Sequence, residues 1–185
     1  MLTPGYPITT ERLTLRPFTP QDLHELHAYE SLPAVARYLY WEPRDLDTTR
    51  AFLDKKIART ALHEEGEAID VAVVDTASGR LAGNCVLIWT SKQHRQGEIG
   101  YVLHPDFHGR GYAAEAAAQM LRLGFDGLGL HRIVGRLDAR NHASARVLEK
   151  LGMRREAHLI DNEYVKGAWA SEIVYAMLAR EWQQR

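Results

Sequence analysis

Residues 104–116 read "HPDFHGRGYAAEA", which places two glycines and an arginine directly before an alanine-rich segment. Apolar residues recur at helical spacing beyond this point, so the sequence predicts a helix from about Gly111 to Phe125. The backbone N–H groups at a helix start have no partner within the helix, and the helix dipole adds partial positive charge there. Gly109 and Gly111 let the backbone approach a ligand closely, and Arg110 adds a full positive charge. The stretch therefore predicts a turn that binds a phosphate or pyrophosphate group.

Two other interpretations of this turn remain open on the residues alone. The glycine pair could simply make a tight connection between a strand and a helix. Residues 109–114 also match the dinucleotide-binding pattern glycine-x-glycine-x-x-alanine. That pattern should follow a strand directly, whereas residues 104–108 intervene here and include a proline, which argues against a dinucleotide site. No Gly-Lys-Ser or Gly-Lys-Thr follows the glycines, so the turn is not a Walker loop.

Size, composition and charge limit the class of protein. The 185 residues, 45% hydrophobic and 25% charged, are typical of one globular domain, which we expect to span residues 1–185. The formal net charge of -1 gives no overall attraction to nucleic acid or to an anionic membrane. No stretch is long and apolar enough to cross a bilayer, and the first residues lack the apolar segment of a signal peptide. The one cysteine, Cys85, excludes a disulfide within the chain, so we expect a cytoplasmic protein.

Hydrophobic periodicity and capping residues predict helices and strands along the whole chain. The first part contains a predicted strand at 13–18, a helix from Thr19 to about Tyr29, a loop over 31–44, and a helix over 48–66 that Asp47 caps. Two strands within 68–90, joined at "TASG", and a third over 97–103 form a β-rich middle. The last part contains a strand at 132–138, a helix begun by Asn141 and ended by Gly152, and a closing pair of strands within 157–178. This order indicates a mixed α/β fold.

Four segments, in order along the chain, resemble the GNAT acyltransferase superfamily and within it the RimJ/RimL-like branch, the ribosomal-protein-alanine N-acetyltransferases. They are "TTERLTLRPFTPQDL" (9–23), "GEIGYVLHPDFHGRGYAAEA" (97–116), "HRIVGRLDARNHASARVLEKLGM" (131–153) and "GAWASEIVYAMLAREW" (167–182). The resemblance implies a single GNAT-type domain with a central mixed, mostly antiparallel sheet of about six or seven strands flanked by about four helices. It also implies that acetyl-CoA is the co-substrate.

The resemblance assigns the glycine turn to the pyrophosphate of the coenzyme. The implied ligands are the backbone amides of seven consecutive residues, His108, Gly109, Arg110, Gly111, Tyr112, Ala113 and Ala114. The backbone of residues 101–103 (Tyr101, Val102 and Leu103) is implied to pair with the pantetheine arm, with Asn141 nearby. The superfamily usually carries glutamine or arginine where this chain has His108. Because backbone amides do most of the binding, we expect that difference to have a modest effect.

Acetyl transfer to an amine needs a base for the amine, a donor for the carbonyl oxygen and a proton for the leaving thiolate. The resemblance favours Glu163 as the base, with Glu98 as a second candidate that acts through water, although either could be a solvated carboxylate. Ser144 is the candidate acid, because Leu148 stands where many members carry a tyrosine. A serine in the first turn of a helix often only satisfies a backbone amide, so that alternative stays open. The implied donor to the carbonyl oxygen is the Val102 N–H.

Aromatic residues in two segments are candidates for an acceptor pocket, or alternatively for the core. They are Tyr38, Tyr40 and Trp41 in the predicted loop, and Tyr164 and Trp169 in the closing segment. Neither His24 with His27 nor His104 with His108 has a third ligand at a known spacing, so we predict no metal.

The sequence therefore predicts an enzyme that moves the acetyl group of acetyl-CoA directly to a primary amine in a ternary complex. The amine could belong to a protein N-terminus or to a small molecule. One alternative is a non-catalytic sensor that binds acyl-CoA, and another is a dinucleotide-binding oxidoreductase. Composition predicts neither a nucleic-acid nor a membrane partner, and it leaves a homodimer open.

Overall fold

Eight strands form one sheet in the computed structural model, which describes residues 1–185. The strands are β1 (Ile8–Thr9), β2 (Leu13–Arg16), β3 (Ala68–Asp75), β4 (Leu81–Ser91), β5 (Gln96–Leu103), β6 (Arg132–Asp138), β7 (Arg154–Val165) and β8 (Ala168–Leu178). Their order across the sheet is β1-β2-β3-β4-β5-β6-β8-β7. Neighbouring strands run antiparallel except for β5 and β6, which run parallel.

Six α-helices accompany the sheet, which confirms the mixed α/β class. They are α1 (Leu23–Glu30), α2 (Pro33–Ala36), α3 (Leu46–Ala58), α4 (Tyr112–Arg122), α5 (His142–Lys150) and α6 (Ala179–Trp182). A π-helical turn, Leu123–Gly127, continues α4. The predicted numbers of strands and helices were low. The shortest elements are β1, which spans two residues, and α2 and α6, which span four each.

The second predicted helix has different ends from those its sequence pattern suggests. Asp47 does not cap it. The cap is Asp45, whose carboxylate accepts a hydrogen bond from the Thr48 N–H at 2.8 Å, and Asp47 lies in the first turn. The helix ends at Ala58, well before the predicted end, because the chain beyond it leaves the helix and buries Leu62 completely in the core. Tertiary burial therefore overrides a helical pattern here.

Helices cover both faces of the sheet, because successive strand residues point to opposite sides. On one face, α1 and α3 bury a small cluster that includes Leu26 and Leu53. On the other face, α4 and α5 cover a larger cluster that includes Met120, Leu121 and Leu148. The core is thus split into two layers, and α4 and α5 share one of them.

The parallel strands β5 and β6 separate part-way along their length. Residues Gln96–Glu98 pair with Arg132–Val134, and residues 99–103 of β5 have no strand partner on that side. Alternate residues of an unpaired edge present a backbone donor and acceptor that need partners. The separation therefore opens a gap in the middle of the sheet, where an extended ligand can pair with β5 as an added strand would.

Candidate active site

The predicted phosphate-binding turn connects the end of β5 to the start of α4. Gly109 and Gly111 have φ angles of 75° and 81°. Both angles lie in the left-handed region, which glycine adopts without the strain that a side chain would impose. The glycines are therefore required by the path of the backbone, and this path leaves the first N–H groups of α4 without helical partners.

A cavity of about 590 Å³ lies between this turn, the second half of β5 and the start of α5. We call it the coenzyme cavity. Ten of the eleven residues predicted to bind the coenzyme line it, namely Tyr101, Val102, Leu103, His108, Gly109, Gly111, Tyr112, Ala113, Ala114 and Asn141. Arg110 is the exception, because its guanidinium packs over the ring of Phe107 at 5.2 Å from the ring centre. The gap in the sheet and the glycine turn thus belong to one cavity.

The turn is held in place by an ion pair with the β1–β2 connection. Arg12 donates hydrogen bonds to Glu115 Oε2 at 2.8 Å and to the Arg110 carbonyl at 2.8 Å. The Thr10 hydroxyl donates to Glu115 Oε1 at 2.6 Å. Partial burial by itself would raise the pKa of Glu115, but the hydrogen bonds from Thr10 and Arg12 outweigh it and lower that pKa. These contacts stabilise both the turn and the first helical turn after it.

The candidate acid, Ser144, lies in the first turn of α5 and faces the coenzyme cavity. The Asn141 side chain, not Ser144, caps the helix, since its amide oxygen accepts the Ser144 N–H at 3.1 Å. The Ser144 Oγ lies 2.9 Å from the Tyr101 hydroxyl. Leu148, one turn further, is buried, and its methyl groups fill the space beside Gly135. Of these two positions on α5, therefore, only Ser144 presents a hydroxyl to the cavity.

A second cavity of about 180 Å³ lies between residues 37–40, the end of β6 and the β7–β8 hairpin. We call it the acceptor cavity. Tyr38 and Leu39 line both cavities, so the two spaces meet at the loop that follows α2. Glu163 and Tyr40 line the acceptor cavity only. Burial and the adjacent Glu163 carboxylate raise the pKa of Tyr40, so its hydroxyl stays protonated and acts as a hydrogen-bond donor.

A bulge in β7 determines which side chains of the hairpin face the acceptor cavity. Leu159 lies opposite Glu172. The next pair is Glu163 with Ala170, so three residues of β7 lie opposite a single residue of β8. Within the bulge, Asp161 has a φ angle of 46°. After the bulge, Glu163 and Ala170 both line the cavity.

Three of the aromatic residues predicted for the acceptor pocket do not line either cavity. Tyr164 and Trp169 are paired across the hairpin one position beyond Glu163, and alternate strand residues point to the opposite face. Their rings meet edge to face at 5.4 Å, and the two residues are 64% and 61% exposed. Trp41 instead packs against the Arg44 guanidinium at 4.4 Å. The predicted aromatic residues that line the acceptor cavity are Tyr38 and Tyr40.

A buried carboxylate that the sequence did not single out, Glu172, also lines the acceptor cavity. It accepts hydrogen bonds from Arg136 at 3.0 Å and from the Tyr40 hydroxyl at 3.3 Å. Arg136 also lies 3.3 Å from a carboxylate oxygen of Glu98. Burial raises the pKa of Glu98, and Arg136 opposes part of this rise. Glu98 does not line the acceptor cavity, but Arg136 connects it to Glu172. The sequence signal that could have identified Glu172 is an acidic residue at the start of the apolar run "SEIVYAML".

His104 and His108, next to the glycine turn, make hydrogen bonds within the fold. His104 Nδ1 accepts the Asp106 N–H at 3.1 Å, and His108 Nε2 lies 3.1 Å from the Leu103 carbonyl. No three His, Cys, Asp or Glu side chains are grouped so that they could hold a metal ion. None of the six helices combines the length and the apolar character that crossing a membrane requires.

Residues 12–154 match the family described as acetyltransferase (GNAT) domain. The chain belongs to the GNAT acetyltransferase family. It is 33% identical to the uncharacterized N-acetyltransferase YnaD of Bacillus subtilis, over 95% of this chain and 98% of that protein. The crystal structure of a GNAT-family acetyltransferase from Bacillus anthracis matches with a TM-score of 0.84 at 32% identity, covering 94% of this chain and 99% of that one. The spermidine N(1)-acetyltransferase of Escherichia coli is 28% identical over 86% of this chain and 82% of that protein.

These matches confirm the predicted superfamily, the GNAT fold and the assignment as an acetyltransferase. GNAT enzymes use acetyl-CoA. The RimJ/RimL-like branch stays a prediction, since the matches include N-acetyltransferases of several names.

Proposed function

We propose that this acetyltransferase moves the acetyl group of acetyl-CoA directly to a primary amine while both are bound. The observation that carries the proposal is the pair of cavities that meet at Tyr38 and Leu39. Direct transfer requires the thioester and the amine side by side, and adjoining cavities allow this. An acyl-enzyme on Cys85 is disfavoured, because its thiol is fully buried and burial raises its pKa. The proposal includes one domain over residues 1–185 and a cytoplasmic location.

In this proposal the coenzyme binds mainly to backbone groups. The amides of residues 108–114 hold the pyrophosphate at the start of α4. The unpaired edge of β5 at residues 101–103 pairs with the pantetheine arm, beside Asn141.

The N–H groups of a strand point alternately to its two sides. The His104 N–H donates to the Ala82 carbonyl of β4, and Val102 lies opposite Asn84, so the Val102 N–H also points to β4 and is not the donor that the resemblance implies. The N–H groups of Tyr101 and Leu103 face the unpaired edge instead and would donate to the thioester oxygen as it gains negative charge. Ser144 faces the leaving sulfur from α5.

Glu163 is the proposed general base. Its carboxylate lines the acceptor cavity, whereas Glu98 and Glu172 are both ion-paired with Arg136. Those ion pairs occupy the carboxylates of Glu98 and Glu172, whereas Glu163 forms no ion pair and is free to contact the amine. Glu98 is the second candidate and acts through water, because burial raises its pKa and favours proton uptake.

The proposed acceptor is a small cationic amine of the polyamine type. In the cavity wall Asp138 pairs with Arg140 at 2.6 Å, and Lys166 donates to a backbone carbonyl at 2.6 Å. Arg37, the third cation of the wall, packs over the Tyr38 ring at 5.1 Å from the ring centre. None of the three cations is ion-paired with Glu163, so its carboxylate remains for an incoming ammonium group, with the rings of Tyr38 and Tyr40 in the same wall. The relative named spermidine N(1)-acetyltransferase supports this class. The RimJ/RimL-like resemblance supports a protein N-terminus as the second candidate.

Thermal unfolding in the presence of acetyl-CoA, CoA and NADPH tests the coenzyme part of the proposal. A ligand that binds the folded chain raises its melting temperature by mass action. We expect acetyl-CoA and CoA to raise it and NADPH to leave it unchanged. A shift with NADPH alone would favour the dinucleotide oxidoreductase. A shift with acetyl-CoA but no acetyl transfer to any amine would favour the non-catalytic sensor.

A further inference from the structure

The side chain of Tyr101 makes a contact that its sequence position does not indicate. Its hydroxyl lies 2.9 Å from the Ser144 Oγ and 3.0 Å from the Ser144 carbonyl oxygen. Both residues line the coenzyme cavity. The contact joins the unpaired half of β5 to the first turn of α5, in the wall of the coenzyme cavity.

We propose that Tyr101 is a positioning residue whose hydroxyl orients the Ser144 hydroxyl as a hydrogen-bond donor to the sulfur of CoA. This inference rests on the proposed function, because it requires CoA in the coenzyme cavity. It assigns to the Tyr101 side chain a role separate from that of its backbone. It also explains how Ser144, a weak acid by itself, can serve where a tyrosine is absent from α5.

The two hydroxyl groups have two possible hydrogen-bond arrangements. Each hydroxyl has one proton and can also accept hydrogen bonds. When Tyr101 donates to the Ser144 carbonyl, the Ser144 proton points back to the Tyr101 oxygen. When Tyr101 donates to the Ser144 Oγ, the Ser144 proton is free to point into the cavity. A thiolate favours the second arrangement, because hydrogen bonds to charged acceptors are stronger than those to neutral ones.

Two other polar side chains of the same cavity, those of Tyr112 and His108, are engaged elsewhere. The Tyr112 hydroxyl donates to a buried carboxylate at 2.6 Å, and the His108 ring bonds to a backbone carbonyl at 3.1 Å. Burial raises the pKa of Tyr101 more than its hydrogen bond to Ser144 lowers it. Tyr101 therefore keeps its proton throughout the neutral range and remains a donor.

The test is the ionisation of the thiol of CoA bound to the full chain. The ultraviolet absorbance of the thiolate is followed against pH for free CoA and for CoA bound to each variant. In the wild type we expect a higher thiolate-to-thiol ratio than in free CoA. Ser144→Ala should lower the bound ratio about tenfold, the size of one hydrogen bond to a charged acceptor, and Tyr101→Phe should lower it by part of that. The double variant should match Ser144→Ala, because Tyr101 acts through Ser144.

Tyr175→Phe is the matched control. The Tyr175 hydroxyl also joins the sheet to α5, through Glu149 at 2.8 Å, but Tyr175 lines neither cavity. It should leave the thiolate ratio unchanged. Ser144→Thr, which keeps a hydroxyl, should retain most of the wild-type ratio. If Tyr101→Phe fails to fold, 3-fluorotyrosine placed at position 101 keeps the shape and makes the hydroxyl a stronger donor, so the ratio should rise.

A wild-type ratio in folded Tyr101→Phe, or an unchanged ratio with 3-fluorotyrosine, would overturn the role of Tyr101. An equal fall of the thiolate ratio in Tyr175→Phe would also overturn it, because a less firmly held α5 would then explain the fall in both variants. A calorimetric measurement of CoA binding to the wild type distinguishes failure of this inference from failure of the proposed function. Absence of binding contradicts the proposed function, whereas binding with unaltered thiol ionisation contradicts only the role of Tyr101.

Discussion

The coenzyme cavity and the acceptor cavity adjoin, yet they are built in different ways. The coenzyme cavity takes much of its wall from residues 101–114, a continuous segment held by strand pairing and by the ion pair of Arg12 with Glu115. The acceptor cavity takes its wall from separate segments, the loop 37–40, the end of β6 and the β7–β8 hairpin. In the proposed function, backbone groups therefore bind acetyl-CoA, and side chains select the amine. Substitutions should change the acceptor more easily than the donor.

The largest effect that we expect from this division is the loss of turnover in Glu163→Gln. Removing a general base lowers kcat by about 10²–10⁴-fold. Since Glu163 lines only the acceptor cavity, the Kd for acetyl-CoA should not change. Steady-state kinetics with calorimetric binding measures both. Glu156→Gln, on the same strand but outside both cavities, is the control and should change kcat by no more than about twofold. Retained turnover in Glu163→Gln would return the role of base to Glu98.

The next effect is a lower affinity for acetyl-CoA in Gly109→Ala. Gly109 and Gly129 have φ angles of 75° and 71°, and a Cβ added at either would meet no heavy atom within 4 Å. Both alanine variants should lose about 1–2 kcal/mol of folding free energy through backbone strain. Only Gly109→Ala should weaken acetyl-CoA binding, by about tenfold, because only Gly109 lies in the turn. Equal affinities in the two variants would show that the turn does not carry the pyrophosphate.

A smaller effect is the pH dependence of the stability that the ion pair of Arg12 with Glu115 gives to the turn. The folded-state pKa of Glu115 lies below its ordinary value, so its contribution to stability is present above that value and is lost as the pH falls through the lowered one. Wild type should therefore melt higher than Glu115→Gln near neutral pH, by an amount on the order of 2 °C. The two melting curves should converge below about pH 4. A constant difference across this range would mean that the charge of Glu115 does not stabilise the turn.

The smallest effect should come from the exposed aromatic pair of the hairpin. Tyr164→Ser and Trp169→Ser should change the KM for the acceptor by no more than about twofold, because neither side chain lines the acceptor cavity. Tyr40→Phe, which removes a hydroxyl next to Glu163 and Glu172, should raise that KM more. A larger effect from the exposed pair than from Tyr40 would place the acceptor outside the cavity described here.

Local signals made the coenzyme side of the molecule predictable from the sequence. Gly109 and Gly111 mark a backbone path that other residues resist, and Asn141 begins α5 as its capping chemistry predicts. These features depend on residues within a few positions of each other. The ordered family motifs extended this local information to the whole fold.

The acceptor side depended on contacts that no local pattern encodes. The Tyr40 hydroxyl contacts Glu172, 132 positions further along the chain. The pairing of Glu172 with Arg136 depends on the neighbouring positions of β6 and β8. The pair Asp161-Asn162 in the bulge before Glu163 is typical of an irregular backbone. It does not determine which residues pair across the hairpin, so which of them face the cavity could not be predicted.

Thiol release from acetyl-CoA tests the central claim most directly. Wild type and Glu163→Gln are assayed in parallel with spermidine, N-terminal peptides, amino acids and aminoglycosides. We predict that release by the wild type depends on one class of amine, with spermidine the first candidate, and that Glu163→Gln binds acetyl-CoA without releasing thiol. Two results for a wild type that binds acetyl-CoA would contradict direct transfer to an amine in the acceptor cavity. One is that none of the amines leads to thiol release, and the other is that thiol is released equally fast when no amine is added.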